Sequence, residues 1–107
     1  MYVIRRVHDV KPGTARMVVP LMQQQGDAYT AAGQRSKVTF YFNGGTLPGD
    51  SNRVYMQCTD ETIGSPYREE AKSVPEASVF GAKIREHMIS NYIEFYEMMT
   101  PEKMQAE

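Results

Sequence analysis

The sequence predicts an α+β domain in which two strand–helix–strand units share one four-stranded antiparallel sheet. Three observations carry this. Four segments are rich in β-branched and aromatic residues, mostly in alternation with polar ones. Two regions between them repeat apolar residues at helical spacing. The order along the 107 residues is strand, helix, strand, strand, helical region, strand. That length suits a single domain, and we expect it to occupy residues 1–99, with residues 100–107 as a loose polar tail.

The first strand is YVIRRVHDV, residues 2–10. It places Tyr2, Ile4, Arg6, His8 and Val10 on one face, and Val3, Arg5, Val7 and Asp9 on the other. Neither face is cleanly apolar. Lys11-Pro12-Gly13 ends the strand, because proline lacks the ladder N–H and glycine permits the reversal. Thr14 is placed to cap the helix that follows. In that helix Val18, Leu21, Met22, Gln25, Ala28, Tyr29 and Ala32 fall on one stripe. Pro20 interrupts it and predicts a kink or a fresh start. Gly33 suits the stop.

The second strand, residues 37–43, alternates Val38, Phe40 and Phe42 with Thr39, Tyr41 and Asn43. A loop over residues 44–52 leads to the third strand, residues 53–59. There Val54, Met56 and Cys58 oppose Arg53, Tyr55 and Gln57, so the pair reads as a hairpin with a long tip. Ser65-Pro66 marks one helix start, and Ser73-Val-Pro-Glu76 is a capping box for another. In the latter Ala77, Phe80, Ile84 and Met88 share a face, His87 lies beside it, and Asn91 ends it. The last strand is residues 92–98. The methionines at 17, 22, 56 and 88 read as core filler, while Met98, Met99 and Met104 are available to cover a partner surface.

Composition narrows the classes of partner. Twelve basic and thirteen acidic residues give a net charge of −1, with no basic run, which argues against nucleic acid. The apolar stretches are too short to span a bilayer, and no charged segment leads into an apolar one as in a signal peptide. One cysteine, Cys58, excludes an internal disulfide and fits a reducing, cytoplasmic setting. Apolar residues form 41% of the chain, enough for a modest core. A domain this small buries only about two thirds of its unfolded surface, so dimerisation would add materially.

This element order is the ferredoxin-like βαββαβ arrangement, with right-handed crossovers and spatial strand order 4-1-3-2. The helices cover one face of the sheet. Tyr41, Asn43, Tyr55, Gln57, Glu94 and Tyr96 fall on the other. That face is aromatic and amphipathic, which suits burial against a second copy in a C2 homodimer.

The opening Arg6-x-His8-x-Val10-Lys11-Pro12-Gly13 resembles the start of NIPSNAP-type proteins, a group within the dimeric α/β-barrel superfamily. An arginine, a ring residue two positions on, and Val-Lys-Pro-Gly recur there. Val-Lys-Pro-Gly also opens many barrels of the antibiotic-biosynthesis-monooxygenase kind. Tyr92-Ile-Glu-Phe-Tyr96 is similar to the closing strand. The chain departs from the NIPSNAP pattern in having His8 where tyrosine is usual and Arg5 where an apolar residue is usual. The resemblance implies a small-ligand site between sheet and helices in each subunit.

Under that implication, Arg6 and His8 are the candidate catalytic or anchoring residues. Phe40, Phe42, Met56 and Cys58 would wall the cleft, and Tyr29 and His87 would reach in from the helices. Arginine supplies a fixed charge and a planar donor fork; histidine titrates near neutrality and can move a proton. The alternative turns the first strand over, so that Arg6 and His8 meet Glu94 or Tyr96 inside the dimer. His87, flanked by Glu86, also fits a boundary position, and Cys58 also fits the core. Two histidines without matching carboxylates do not form a metal site. The glycines of residues 44–49 precede a strand rather than a helix, so they do not form a phosphate loop. No cofactor is expected. Three functions remain: a non-catalytic ligand-binding barrel, a cofactor-independent oxygenase, isomerase or lyase with His8 as base, and a purely structural interaction domain.

Overall fold

The computed structural model describes residues 1–33, 37–63 and 75–106. The described elements are β1 (Tyr2–Val10), α1 (Ala15–Ala31), β2 (Thr39–Asn43), β3 (Arg53–Asp60), α2 (Pro75–Arg85), β4 (Met88–Glu97) and a 3₁₀ turn, Pro101–Lys103. Ser65-Pro66 and the Ser73 end of the capping box lie outside the described residues. The sheet runs β2-β3-β1-β4 with every pair antiparallel, the ferredoxin-like order.

The pairing register sorts the side chains into rows. Phe42, Val54, His8 and Asn91 form one row on the helix side, and Phe40, Met56, Arg6 and Ile93 form the next. The opposite, open face carries Asn43–Arg53–Asp9–Ser90, Tyr41–Tyr55–Val7–Tyr92 and Thr39–Gln57–Arg5–Glu94. The core lies between sheet and helices. Val10, Ala15, Val18, Met22, Val54, Met56 and Ile84 are buried together there, with Leu21, Val38, Phe40 and Met88 at the margin. Each fully buried aliphatic side chain contributes about 1.5–3 kcal/mol relative to exposure. Met17, expected in this core, is instead 50% exposed. It falls one position off the buried stripe of Ala15, Val18 and Met22.

Three other expectations are corrected. The first is that α1 restarts at Pro20: it runs as one helix through that residue. Proline removes only the bond to the Arg16 carbonyl, both residues are exposed, and buried Val18 and Met22 anchor the helix on either side.

The second is the cap. Thr14 precedes α1 but makes no side-chain cap bond; its hydroxyl donates to the Lys11 carbonyl at 2.6 Å. Asn52, in the left-handed region at φ 58°, ties the same turn to the β2–β3 loop by accepting the Val10 N–H at 3.0 Å.

The third is the end of α2, at Arg85 rather than Asn91. Met88 pairs with Val10 and Asn91 with His8, both within β4. Ile84 and Met88 reach the same core from a helix and a strand, which mimics helical spacing. The edge of β1 offers ladder groups over its whole length, so pairing wins. β2 is correspondingly short, starting two residues later than expected.

Beyond β4, the chain is tied back to the sheet. The Met98 N–H donates to the Met1 carbonyl at 3.0 Å, and Lys103 Nζ donates to the Met98 carbonyl at 3.0 Å. Gly33 ends α1 as expected, with φ 75° and its N–H on the Thr30 carbonyl. Among the described residues, no helix is long and apolar enough to cross a membrane.

Candidate functional site

Arg6 and His8 sit two positions apart on β1, roughly 7 Å along the strand. Both belong to the rows that face the helices. There they border a cleft of about 290 Å³, lined also by Met22 and Gln25 of α1, Met56 of β3, Gly81, Ile84 and Arg85 of α2, and Met88 and Asn91 of β4. The volume lies at the lower edge of the range for small-molecule sites.

His8 is the unusual member. It is 9% exposed, and neither ring nitrogen has a hydrogen-bond partner among the described residues. Its neighbours leave it so. Val54 on one side is aliphatic, and Asn91 on the other turns its amide to Met88 Sδ at 3.0 Å. Burial holds the imidazole down to about pKa 4, the Arg6 charge adds to the effect, and Asp9 opposes it. The ring is therefore neutral at pH 7, with one N–H to give and one lone pair to accept into.

The two adjacent arginines of β1 are treated oppositely. Arg5 lies on the open face, 3.4 Å from Glu94 and 4.5 Å over the Tyr55 ring. The opposite oxygen of Glu94 takes the Tyr96 hydroxyl. The pairing with Glu94 considered for Arg6 thus belongs to Arg5. Arg6 has no ion pair or hydrogen bond among the described residues. Asp9 and Arg53 close the far end of the open face at 2.7 Å. Hydrogen bonds from Ser90 and Arg53 hold the Asp9 carboxyl below its usual range.

Of the candidate residues, the cleft brings together Arg6, His8 and Met56. Phe40 packs against the core, its ring tip 3.8 Å from where a Cβ on Gly26 would stand. Phe42 is further along the sheet and exposed. Tyr29 is near the C-terminal end of α1, and Cys58 is one row beyond Met56. His87 sits in the α2–β4 turn, where its carbonyl accepts the Lys11 N–H at 2.8 Å. None of these five lines the cleft. Among the described residues, no cluster of three or more histidine, cysteine or acidic side chains is placed to hold a metal.

Gln25, Gly81, Arg85 and Asn91 were missed as site residues. For Gly81 and Arg85 a signal existed. They fall at the i, i+4 spacing beside the face of Ala77, Ile84 and Met88. Asn91 carried no signal while it was read as a helix end.

No family model matches the chain, and no curated protein matches it. Solved structures do. An uncharacterized NIPSNAP domain protein from Burkholderia xenovorans superposes with a TM-score of 0.74 at 16% identity, covering 94% of this chain and 97% of that one. An antibiotic biosynthesis monooxygenase gives 0.58 at 10% identity, over 94% and 100%. A dimeric protein of unknown function and ferredoxin-like fold from Bacteroides fragilis gives 0.57 at 14%, over 91% and 96%. The structural neighbours therefore include NIPSNAP domain and monooxygenase-like proteins, and the shared fold spans almost the whole chain.

Proposed function

We propose that this protein is a small-ligand-binding barrel of NIPSNAP type whose site is the sheet–helix cleft, with Arg6 and His8 as its polar anchors. One observation carries the reading: His8 is buried against the cleft with both nitrogens unpartnered. An unsatisfied buried polar group costs about 1–3 kcal/mol, and a ligand that completes its bonds recovers that cost. The homodimer belongs to the same reading. Its support is the open face, where Tyr41 and Tyr55 stack at 5.0 Å and Tyr92 and Tyr96 are exposed.

A second reading makes the protein a cofactor-independent monooxygenase, isomerase or lyase acting on a small aromatic or carbonyl compound. His8 would take the proton and Arg6 would hold the developing oxyanion. The neutral imidazole beside a fixed cation favours it. A pKa of about 4 weighs against it, because so weak a base abstracts protons poorly near pH 7.

A thermal-shift screen of small organic compounds, run in parallel on wild type and His8→Ala, tests the proposal. Compounds that raise the wild-type melting temperature in a concentration-dependent way should leave His8→Ala unmoved, while that variant stays folded and dimeric. Equal ligand stabilisation of the variant, or loss of folding and dimerisation with no ligand effect, overturns the proposal.

A further inference from the structure

The charge balance of the cleft narrows the ligand class. Its described lining holds two guanidinium groups, Arg6 on β1 and Arg85 on α2, and no carboxylate. Neither arginine has an ion pair or hydrogen bond among the described residues. Arg5 and Arg53, by contrast, are both paired, to Glu94 and to Asp9 with Asp50.

Arg85 stands in the last turn of α2, where a cation already complements the helix dipole. Its side chain runs back over the preceding turn, the ordinary direction on a helix. Its Nη1 lies 3.7 Å from where a Cβ on Gly81 would stand, and Gln25 Nε2 of α1 lies 3.1 Å from the same point. A Cβ at Gly81 would crowd the Gln25 amide, which donates to the Ala77 carbonyl at 3.2 Å, whereas the Arg85 guanidinium stands at ordinary contact distance. Buried, unpartnered His8 supplies the third polar group. Met22, Met56, Ile84 and Met88 supply the apolar part of the lining, and Asn91 adds a further amide.

We propose that the cleft selects a small organic acid, its carboxylate held between Arg6 and Arg85 with His8 completing the polar shell and its apolar body against the methionines. The proposal rests on the cleft being the ligand site. A planar carboxylate matches the guanidinium fork, and an apolar body suits a wall that an inorganic oxyanion would leave unfilled.

The test uses benzoate and hexanoate, each beside its uncharged isostere, benzamide and hexanamide. They are titrated at constant ionic strength into labelled wild type, Arg85→Gln and Arg16→Gln, followed by side-chain NMR of His8 and the cleft methionines. Arg16 is an exposed arginine on α1 outside the cleft. At least one acid should bind about tenfold or more tighter than its amide, with shifts at His8, Met22 and Met56. Arg85→Gln should bring the ratio near one while Arg16→Gln preserves it. Acid and amide binding equally in the cleft overturns the charge selection and leaves the ligand site standing. A ratio unchanged in Arg85→Gln removes Arg85 from the site and overturns the proposal. No cleft shift with any of the four overturns both readings. Inorganic phosphate competing as well as the bound acid overturns the organic-acid assignment.

Discussion

His8 stands at the centre of a row whose other members are Phe42, Val54 and Asn91, and none of them satisfies its nitrogens. Such a residue lowers stability. We expect His8→Leu, which keeps similar volume without polar atoms, to raise stability by about 1–3 kcal/mol in denaturant melts while removing ligand response. An unchanged or lower midpoint would show that the ring is satisfied in solution. The same residue gives a pH signature. Folded His8 takes its proton near pH 4, whereas the unfolded residue takes it near 6.5. Between those values the unfolded chain binds more protons, so stability falls as pH drops from 6.5 toward 4, by at most about 3 kcal/mol. Melts of wild type and His8→Leu across this window should diverge, with the flatter profile in the variant.

At the scale of elements, α1 and α2 meet the sheet unequally. α1 lays Val18 and Met22, both fully buried, over the Val54 side of the sheet. Its proline does not break it, because the anchoring residues flank the defect. Pro20→Ala should restore one backbone bond and gain about 2 kcal/mol after allowing for the more flexible unfolded chain. A thermal melt checks this, and loss of stability would mean that Pro20 shapes the helix in a way the packing requires. α2 contributes Ala77, Gly81 and Ile84 to the interior and brings Arg85 to the cleft. The site is therefore built across both helices and three strands, and a change in the α1–α2 spacing at Gly81 would reach it directly.

The whole molecule has a covered and an uncovered face. Val7 is fully buried on the open side within the row of Tyr41, Tyr55 and Tyr92. Those tyrosines remain accessible, and a second copy would bury them sheet to sheet. Sedimentation velocity at micromolar concentration should give a dimer, and Tyr92→Asp should give a monomer of lower stability. A wild-type monomer would place the partner of this face elsewhere. If Tyr92→Asp also weakens ligand response, the cleft depends on the dimer; if it does not, each subunit carries a complete site.

Element order, antiparallel strand order and the division of β2 and β3 into two faces are legible in the chain alone. These follow from alternation, turn residues and chain connectivity, which are local or nearly so. The chain alone also singles out Arg6 and His8, because charged and titratable residues on a strand are rare enough to notice. Which way β1 faced was decided only by tertiary structure. Both of its faces are mixed, so no local free energy distinguishes them. Val10 is drawn into the core beside Ala15 and Val18, and the two-residue period carries Arg6 and His8 to the helix side. The boundary between α2 and β4 follows likewise from pairing along β1, and Arg85 lines the site because α2 ends beside the cleft.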